Sequence, residues 1–274
     1  MSKKAILDKL HKKMDSKHFI VAAGVDNLAE EKCCSESGCD LILLYPTADY
    51  QNAKNRFLAG YLAFGNTNHM METMASDMMP TMNHRNLTAG LNGCDPFINN
   101  RILLEKMRQY GFIGIHNYPA ISLIDGNFGM NLDNLKTGFD KEIELFKNAN
   151  ENSLLTCGMV RTQKQAMQLV RIGIDVLIFY VGLGEKHHMQ TSDREYYIAQ
   201  DIRLLKEFSL AVRKLSSTIP ILFFSERLQT IDEVNNIVKE VKEINGYFLM
   251  PVTKTSTSLK KLQLEISQLK KICY

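Results

Sequence analysis

No apolar run in this chain reaches the roughly 18 residues that a helix needs to cross a bilayer. The opening stretch, MSKKAILDKLHKKMDSKHF, has the pattern of an amphipathic helix and lacks the apolar core of a signal peptide. The chain therefore reads as cytoplasmic, with no membrane partner. Its six cysteines, Cys33, Cys34, Cys39, Cys94, Cys157 and Cys273, are irregularly spaced and include no C-x-x-C pair. Neither a disulfide framework nor a zinc site follows from them. There is no dense basic stripe either. Lys3-Lys4, Lys12-Lys13 and Lys260-Lys261 are scattered pairs in a chain of net charge +3, so nucleic acid is not an expected partner. After the first strand pattern stands Ala23-Gly24-Val25-Asp26-Asn27 instead of G-x-G-x-x-G, which argues against a nucleotide cofactor.

What the chain does have is a rhythm. Its 274 residues, 45% hydrophobic and 23% charged, suit one large domain or two small ones. Eight β-rich runs, at 18–25, 40–45, 86–91, 112–117, 154–159, 175–181, 220–225 and 246–250, are each followed by a helical pattern. The runs are continuously apolar, as strands covered on both faces are. Eight βα repeats over this length predict a single closed (β/α)8 barrel, 18–274, behind an N-terminal helix, 1–17. A doubly wound open sheet is the alternative. The sixth repeat's helix, 193–217, is longer than a barrel unit needs; it either overhangs or packs on another subunit. The methionine-rich segment His69 to Met82 suits core or subunit packing better than a metal.

A barrel of this kind collects its chemistry where the strands end. Gly24, Asp26, Tyr45, Thr47, Asn92, Gly93, Asp95, Asn117, Asp125, Arg161, Gly182, Ser225, Glu226, Arg227, Thr253 and Lys254 would share that face. Carboxylates, amides, cations and glycines together suit a small anionic ligand, with or without a hard cation such as magnesium. Each residue also has a plainer use. Asp95, before Pro96, can cap the next helix. Asp125-Gly126 can simply turn the chain. Gly65 and Gly90 can merely permit close backbone. Cys94 and Cys157 are expected to be inert thiols, and His187-His188 a poor metal pair. His84 and His116 are expected to lie away from the chemistry, His116 by alternation with Asn117.

Three blocks carry a resemblance. They are Gly65-Asn66-Thr67-Asn68, then Gly90-Leu91-Asn92-Gly93-Cys94-Asp95-Pro96-Phe97, then Phe112-Ile113-Gly114-Ile115-His116-Asn117-Tyr118-Pro119 through Leu123-Ile124-Asp125-Gly126-Asn127-Phe128 and Asn131-Leu132. In order and spacing the chain resembles the phosphoenolpyruvate hydrolase-like family, which includes phosphonopyruvate hydrolases and a barrel domain of a plant antiviral resistance protein. The resemblance implies a TIM barrel of the phosphoenolpyruvate/pyruvate-binding type and a homo-oligomer. It also implies action on a small 2-oxo acid or enol phosphate, by C–C or C–P bond lysis or hydrolysis, often with magnesium.

Asp95, Asp125 and Asn117 are the catalytic candidates, the two aspartates also as magnesium ligands. Gly24, Tyr45, Gly90, Asn92, Gly93, Arg161, Gly182, Glu226 and Lys254 are the substrate-binding candidates. The chain departs from the family at Tyr180-Val181-Gly182-Leu183, Ser225-Glu226-Arg227-Leu228 and Leu249-Met250-Pro251-Val252, where two histidines and a small-residue turn are expected, and at Gly129 in place of arginine. A catalytically degenerate barrel serving ligand binding, regulation or assembly is the second expectation.

Overall fold

The eight apolar runs are the eight staves of a closed parallel barrel. The computed structural model describes residues 2–50, 59–82, 86–182, 191–250 and 256–274. Its strands are β1 (Ile20–Val25), β2 (Leu41–Leu44), β3 (Leu87–Leu91), β4 (Gly114–Asn117), β5 (Leu155–Val160), β6 (Val176–Val181), β7 (Ile221–Ser225) and β8 (Gly246–Leu249). Each pairs in parallel with the next, and β1 pairs with β8, so the open-sheet alternative falls. Every strand residue but the half-buried Leu249 is buried.

Among the described residues ten α-helices surround the barrel. They are α1 (Lys3–Asp15), α2 (Leu28–Glu36), α3 (Thr67–Met78), α4 (Asn100–Tyr110), α5 (Gly126–Asn134), α6 (Phe139–Glu151), α7 (Gln163–Arg171), α8 (Thr191–Leu215), α9 (Ile231–Glu240) and α10 (Ser256–Leu269). Several starts are written in the sequence. Asn27, Asn66 and Asn99 accept first-turn N–H groups of α2, α3 and α4. Thr162 with Gln165, and Thr230 with Glu233, make capping boxes.

Alternation along each strand sorts the apolar side chains into two cores. The outer core lies between strands and helices and includes Val21, Ile42, Ile115, Phe179 and Phe223. The methionines of α3, Met70, Met71, Met74 and Met78, fill this layer, which is the core use expected of them. The inner core fills the barrel and includes Leu43, Tyr45, Leu155, Met159, Ile178, Tyr180, Phe224 and Phe248. Ile6 and Leu10 of α1 join it, closing the end where the strands begin. Three ion pairs hold that plug: Lys13 to Asp40 at 2.6 Å, Lys9 to Asp40 at 3.1 Å and Lys3 to Asp175 at 2.7 Å.

One element departs from the sequence reading. α5 occupies what reads as a long loop, because Gly126, Asn127 and Gly129 are turn and breaker residues. Gly126 does take a left-handed φ of 63°, and the helix follows at once with Asp125 as its cap residue. α5 buries none of its own residues.

Candidate active site

The residues that follow the strand ends fall into separate groups. The first lies after β3. Asn68 of α3 is fully buried and clasps the backbone of Asn92, accepting its N–H at 2.8 Å and donating to its carbonyl at 3.0 Å. The Asn92 side chain accepts the Cys94 N–H at 3.0 Å. Gly93 lies against α6, where an added Cβ would stand 3.1 Å from Leu145. Asp95 accepts the Phe97 N–H at 2.9 Å and the Asn66 amide at 2.8 Å. It is therefore a turn residue tied to α3; the cap of α4 is Asn99, not Asp95.

The second group lies after β4 and β5. Asn117 is fully buried and faces outward, toward α6. Its amide grips the Met159 backbone both ways, accepting the N–H at 2.8 Å and donating to the carbonyl at 3.1 Å. It also donates to Glu142 at 2.8 Å. The other Glu142 oxygen accepts the Ile121 N–H at 2.6 Å. Burial pushes the Glu142 carboxyl up to about 8, against the lowering effect of these donors. Glu142 thereby pins the segment that follows the cis Tyr118–Pro119 bond. Beyond the pin, Asp125 is exposed and forms an ion pair with the partly exposed Arg161. The guanidinium holds the Asp125 carboxyl below the usual range.

The third group joins β6, β7 and α8. The buried Asp201 accepts the Ser225 hydroxyl at 3.1 Å and pairs with Arg227, whose guanidinium stacks 4.9 Å from the Tyr197 ring centre. Gly182 takes a φ of 68° over this cluster, and an added Cβ would sit 2.6 Å from the Ser225 hydroxyl. Glu226 is half-buried; burial raises the Tyr180 and Tyr247 phenols, and the Glu226 carboxylate adds a smaller push to both.

Inside the mouth the packing is aromatic. The Tyr45 ring lies tilted against His116, with centres 4.7 Å apart, and edge-on to Tyr118 at 4.8 Å, and its hydroxyl donates to the Met159 sulfur at 3.3 Å. Gly24 and Gly90 admit these side chains: an added Cβ would meet Tyr45 at 2.8 Å and the His116 Nε2 at 2.9 Å respectively. The expected orientation of β4 is thus reversed. His116 points into the barrel, held by Thr88 at 3.0 Å, and Asn117 points out. Burial lowers the His116 imidazole to about 3, so the ring is neutral.

The structure therefore brings Asn117, Asp125 and Arg161 into one neighbourhood, and Gly24, Tyr45 and Gly90 into another. Asn92, Gly93 and Asp95 make a third, and Gly182 with Glu226 a fourth. Asp95 and Asp125 reach the same end of the barrel on different loops, each with its own partners. An ion bridging them would displace Asn66 from one and Arg161 from the other. Among the described residues no group of three or more His, Cys, Asp or Glu side chains could hold a metal. Lys254, Thr253, His84 and the pair His187-His188 lie outside the described residues.

Sequence reasoning missed Glu142, Asn68 and Asp201. A signal was present for two of them. Glu142 shares a helical stripe with Phe139, Leu145 and Phe146, and Asp201 lies beside Ile198, Ile202 and Leu205. An acid on an apolar face needs a buried partner.

Fold and strand-end geometry define the class: a (β/α)8 barrel whose polar candidates gather at the carboxyl ends of its strands. The chain belongs to the phosphoenolpyruvate hydrolase-like family, whose model matches residues 5–268. Two tomato (Solanum lycopersicum) proteins are similar to it, the ToMV susceptible protein tm-1(GCR26) and the ToMV resistance protein Tm-1(GCR237). Each is 24% identical over 243 residues, covering 89% of this chain. The chain spans 32% of the length of either relative. Among solved structures, 2,3-dimethylmalate lyase, a PEP mutase/isocitrate lyase superfamily member, superposes with a TM-score of 0.55 over 97% of this chain and 88% of its own, at 11% identity. That likeness is one of fold. No helix among the described residues is long and apolar enough to cross a membrane.

Proposed function

We propose that the protein acts on a small 2-oxo acid or enol phosphate at the carboxyl end of its barrel, cleaving a C–C or C–P bond by lysis or hydrolysis. Family membership supports the substrate class. The observation that carries the site is the exposed Asp125–Arg161 pair, set where β4 and β5 end. A guanidinium with a free edge is suited to a carboxylate or phosphate, which it can hold through two parallel hydrogen bonds. When Arg161 turns to such a ligand, Asp125 loses the partner that depresses its pKa. Its carboxylate then becomes a better proton acceptor beside the bound acid. The Glu142 pin and the Gln165 side chain, which donates to the Ser122 carbonyl at 3.0 Å, keep the intervening segment in place.

Binding tests the anchor separately from turnover. Pyruvate, phosphonopyruvate or phosphoenolpyruvate should raise the thermal transition of the wild type. Arg161→Ala should weaken that binding by about 10- to 100-fold, the size of a lost charge-assisted contact. Equal affinity in the two proteins would remove Arg161 from the site. Magnesium is tested in the same experiment: a further shift on adding the ion with the acid supports a bridging role, and none argues for a reaction run by side chains.

A second reading is a barrel that binds without turnover. The fates of Asn117, Ser225 and Arg227 favour it, since their polar groups serve packing at the strand ends. Saturable binding with no product formed would select this reading.

A further inference from the structure

Two of the six cysteines meet at the end of the barrel opposite this chemistry. α2 stops in a turn closed by two backbone hydrogen bonds. The Gly38 N–H donates to the Ser35 carbonyl at 2.9 Å, and the Cys39 N–H to the Cys34 carbonyl at 3.0 Å. Gly38 takes the left-handed φ of 77° that such a turn requires. The turn folds the residue after the glycine back onto the one five positions earlier, where an apolar pair ordinarily packs. Here both are cysteines, Cys34 fully buried and Cys39 only 3% exposed. Their thiols are in hydrogen-bond contact. The backbone bond between them holds the two Cα atoms within the roughly 4.4–6.8 Å that a disulfide spans. The other thiols are placed elsewhere. Cys33 donates to the Leu259 carbonyl at 3.4 Å and Cys94 to the Gly138 carbonyl at 3.2 Å, Cys157 lies in the inner core, and Cys273 is exposed.

We propose that Cys34 and Cys39 form a modification site for peroxide, closing to a disulfide that staples the end of α2 to the start of β2. The hydrogen bond to Cys39, and then burial, push the Cys34 thiol up, so Cys34 keeps its proton and the Cys39 sulfur accepts it. Cys39, which has the exposed edge, reacts first. Its thiolate attacks peroxide; an S–O bond forms, the O–O bond breaks and hydroxide leaves. The sulfur is now a sulfenic acid, oxidised by two electrons, and the peroxide is reduced. The Cys34 sulfur then attacks it. An S–S bond forms, the S–O bond breaks, and the departing hydroxide takes the Cys34 proton as water. Two thiols and one peroxide become one disulfide and two waters. The staple lies where α1 and α2 meet the barrel. Asp40, next in the chain, is buried, accepts the Val21 N–H at 3.0 Å and pairs with Lys9 and Lys13 of α1. Oxidation would stiffen this closed end and leave the mouth as it is. The inference is independent of the reaction proposed above.

Hydrogen peroxide added to the reduced full chain decides it. After free thiols are alkylated and the chain is unfolded, cleavage after Glu36 separates Cys34 from Cys39. In oxidised wild type the two fragments should stay joined, two hydrogens lighter than their sum, and should part in dithiothreitol. Cys33→Ala should keep the link, and its upstream fragment then holds Cys34 alone. Cys34→Ala should lose the link and leave Cys39 as a sulfenic acid trapped by dimedone, with a cooperative thermal transition to show that the variant folds. Linked wild type should melt about 5 °C above the reduced protein. Peroxide that oxidises Cys33 or Cys273 while Cys34 and Cys39 stay reduced overturns the proposal. So does a link that survives Cys34→Ala, or one that Cys33→Ala abolishes.

Discussion

Glu142→Ala is expected to lower the stability of the folded protein by about 3–5 kcal/mol, measured by denaturant unfolding. The residue has no exposed surface. Removing it strands two buried donors, the Ile121 N–H and the Asn117 amide, at about 1–3 kcal/mol each, and opens a cavity. Asn117 cannot rotate to compensate, because Met159 fixes both ends of its amide. Glu142→Gln should be milder, about 2 kcal/mol, since it keeps one acceptor but sets an NH2 group against a donor. The two proteins should also differ in pH dependence. The Glu142 carboxyl is raised from 4.5 to about 8 by burial. An acid whose folded pKa is raised stabilises the fold below its unfolded pKa, and that stability is lost as pH rises toward the folded value. Wild-type stability should therefore fall between pH 4.5 and 8, and Glu142→Gln should lose most of that slope. Glu31, raised to about 7 by burial, supplies a remainder of the same sign. Identical slopes in the two proteins would show that Glu142 does not titrate in this range.

Gly114→Ala and Gly246→Ala are expected to cost about 3 kcal/mol or more each, or to abolish folding. Both glycines begin strands, β4 and β8. An added Cβ would lie 2.2 Å from the Leu155 carbonyl oxygen in one case and 2.2 Å from that of Ile20 in the other. These oxygens belong to neighbouring staves, so relief means moving a strand of a closed ladder, which overpacked cores resist. Gly173→Ala is the control. It keeps the strain of a φ of 78° but meets only the end of the Asn150 side chain, at 4.0 Å, and should cost about 1 kcal/mol. Equal losses at all three would point to backbone conformation instead of crowding at the strand starts.

The repeating units were legible because strands covered on both faces are apolar throughout and helices are striped. The same property hid the register of β4. With both faces buried, nothing in Gly114-Ile115-His116-Asn117 tells which pair looks inward, and polarity misleads, because the inward histidine is neutral. The Gly90 to Asn131 block made the family legible, and the family model matches residues 5–268. The roles of the block's residues were not legible, since Asn117 and Asp95 spend their hydrogen bonds on the chain itself. α5 was hidden by its glycines and asparagines, which read as turns. The strand-end departures at Tyr180 and Ser225 were visible as missing histidines; that Ser225 and Arg227 instead close on Asp201 needed three dimensions.

Turnover tests the central claim most directly. Wild-type protein, with and without magnesium, should release pyruvate from phosphonopyruvate or phosphoenolpyruvate, or cleave an acylpyruvate, as followed by NMR. Asp125→Asn, whose exposed side chain carries little of the fold, should lower kcat by at least ~100-fold while leaving the thermal transition in place. Product formed at equal rates by both proteins would contradict the role given to Asp125, and saturable binding without product from any of the three substrate types would contradict the enzyme itself.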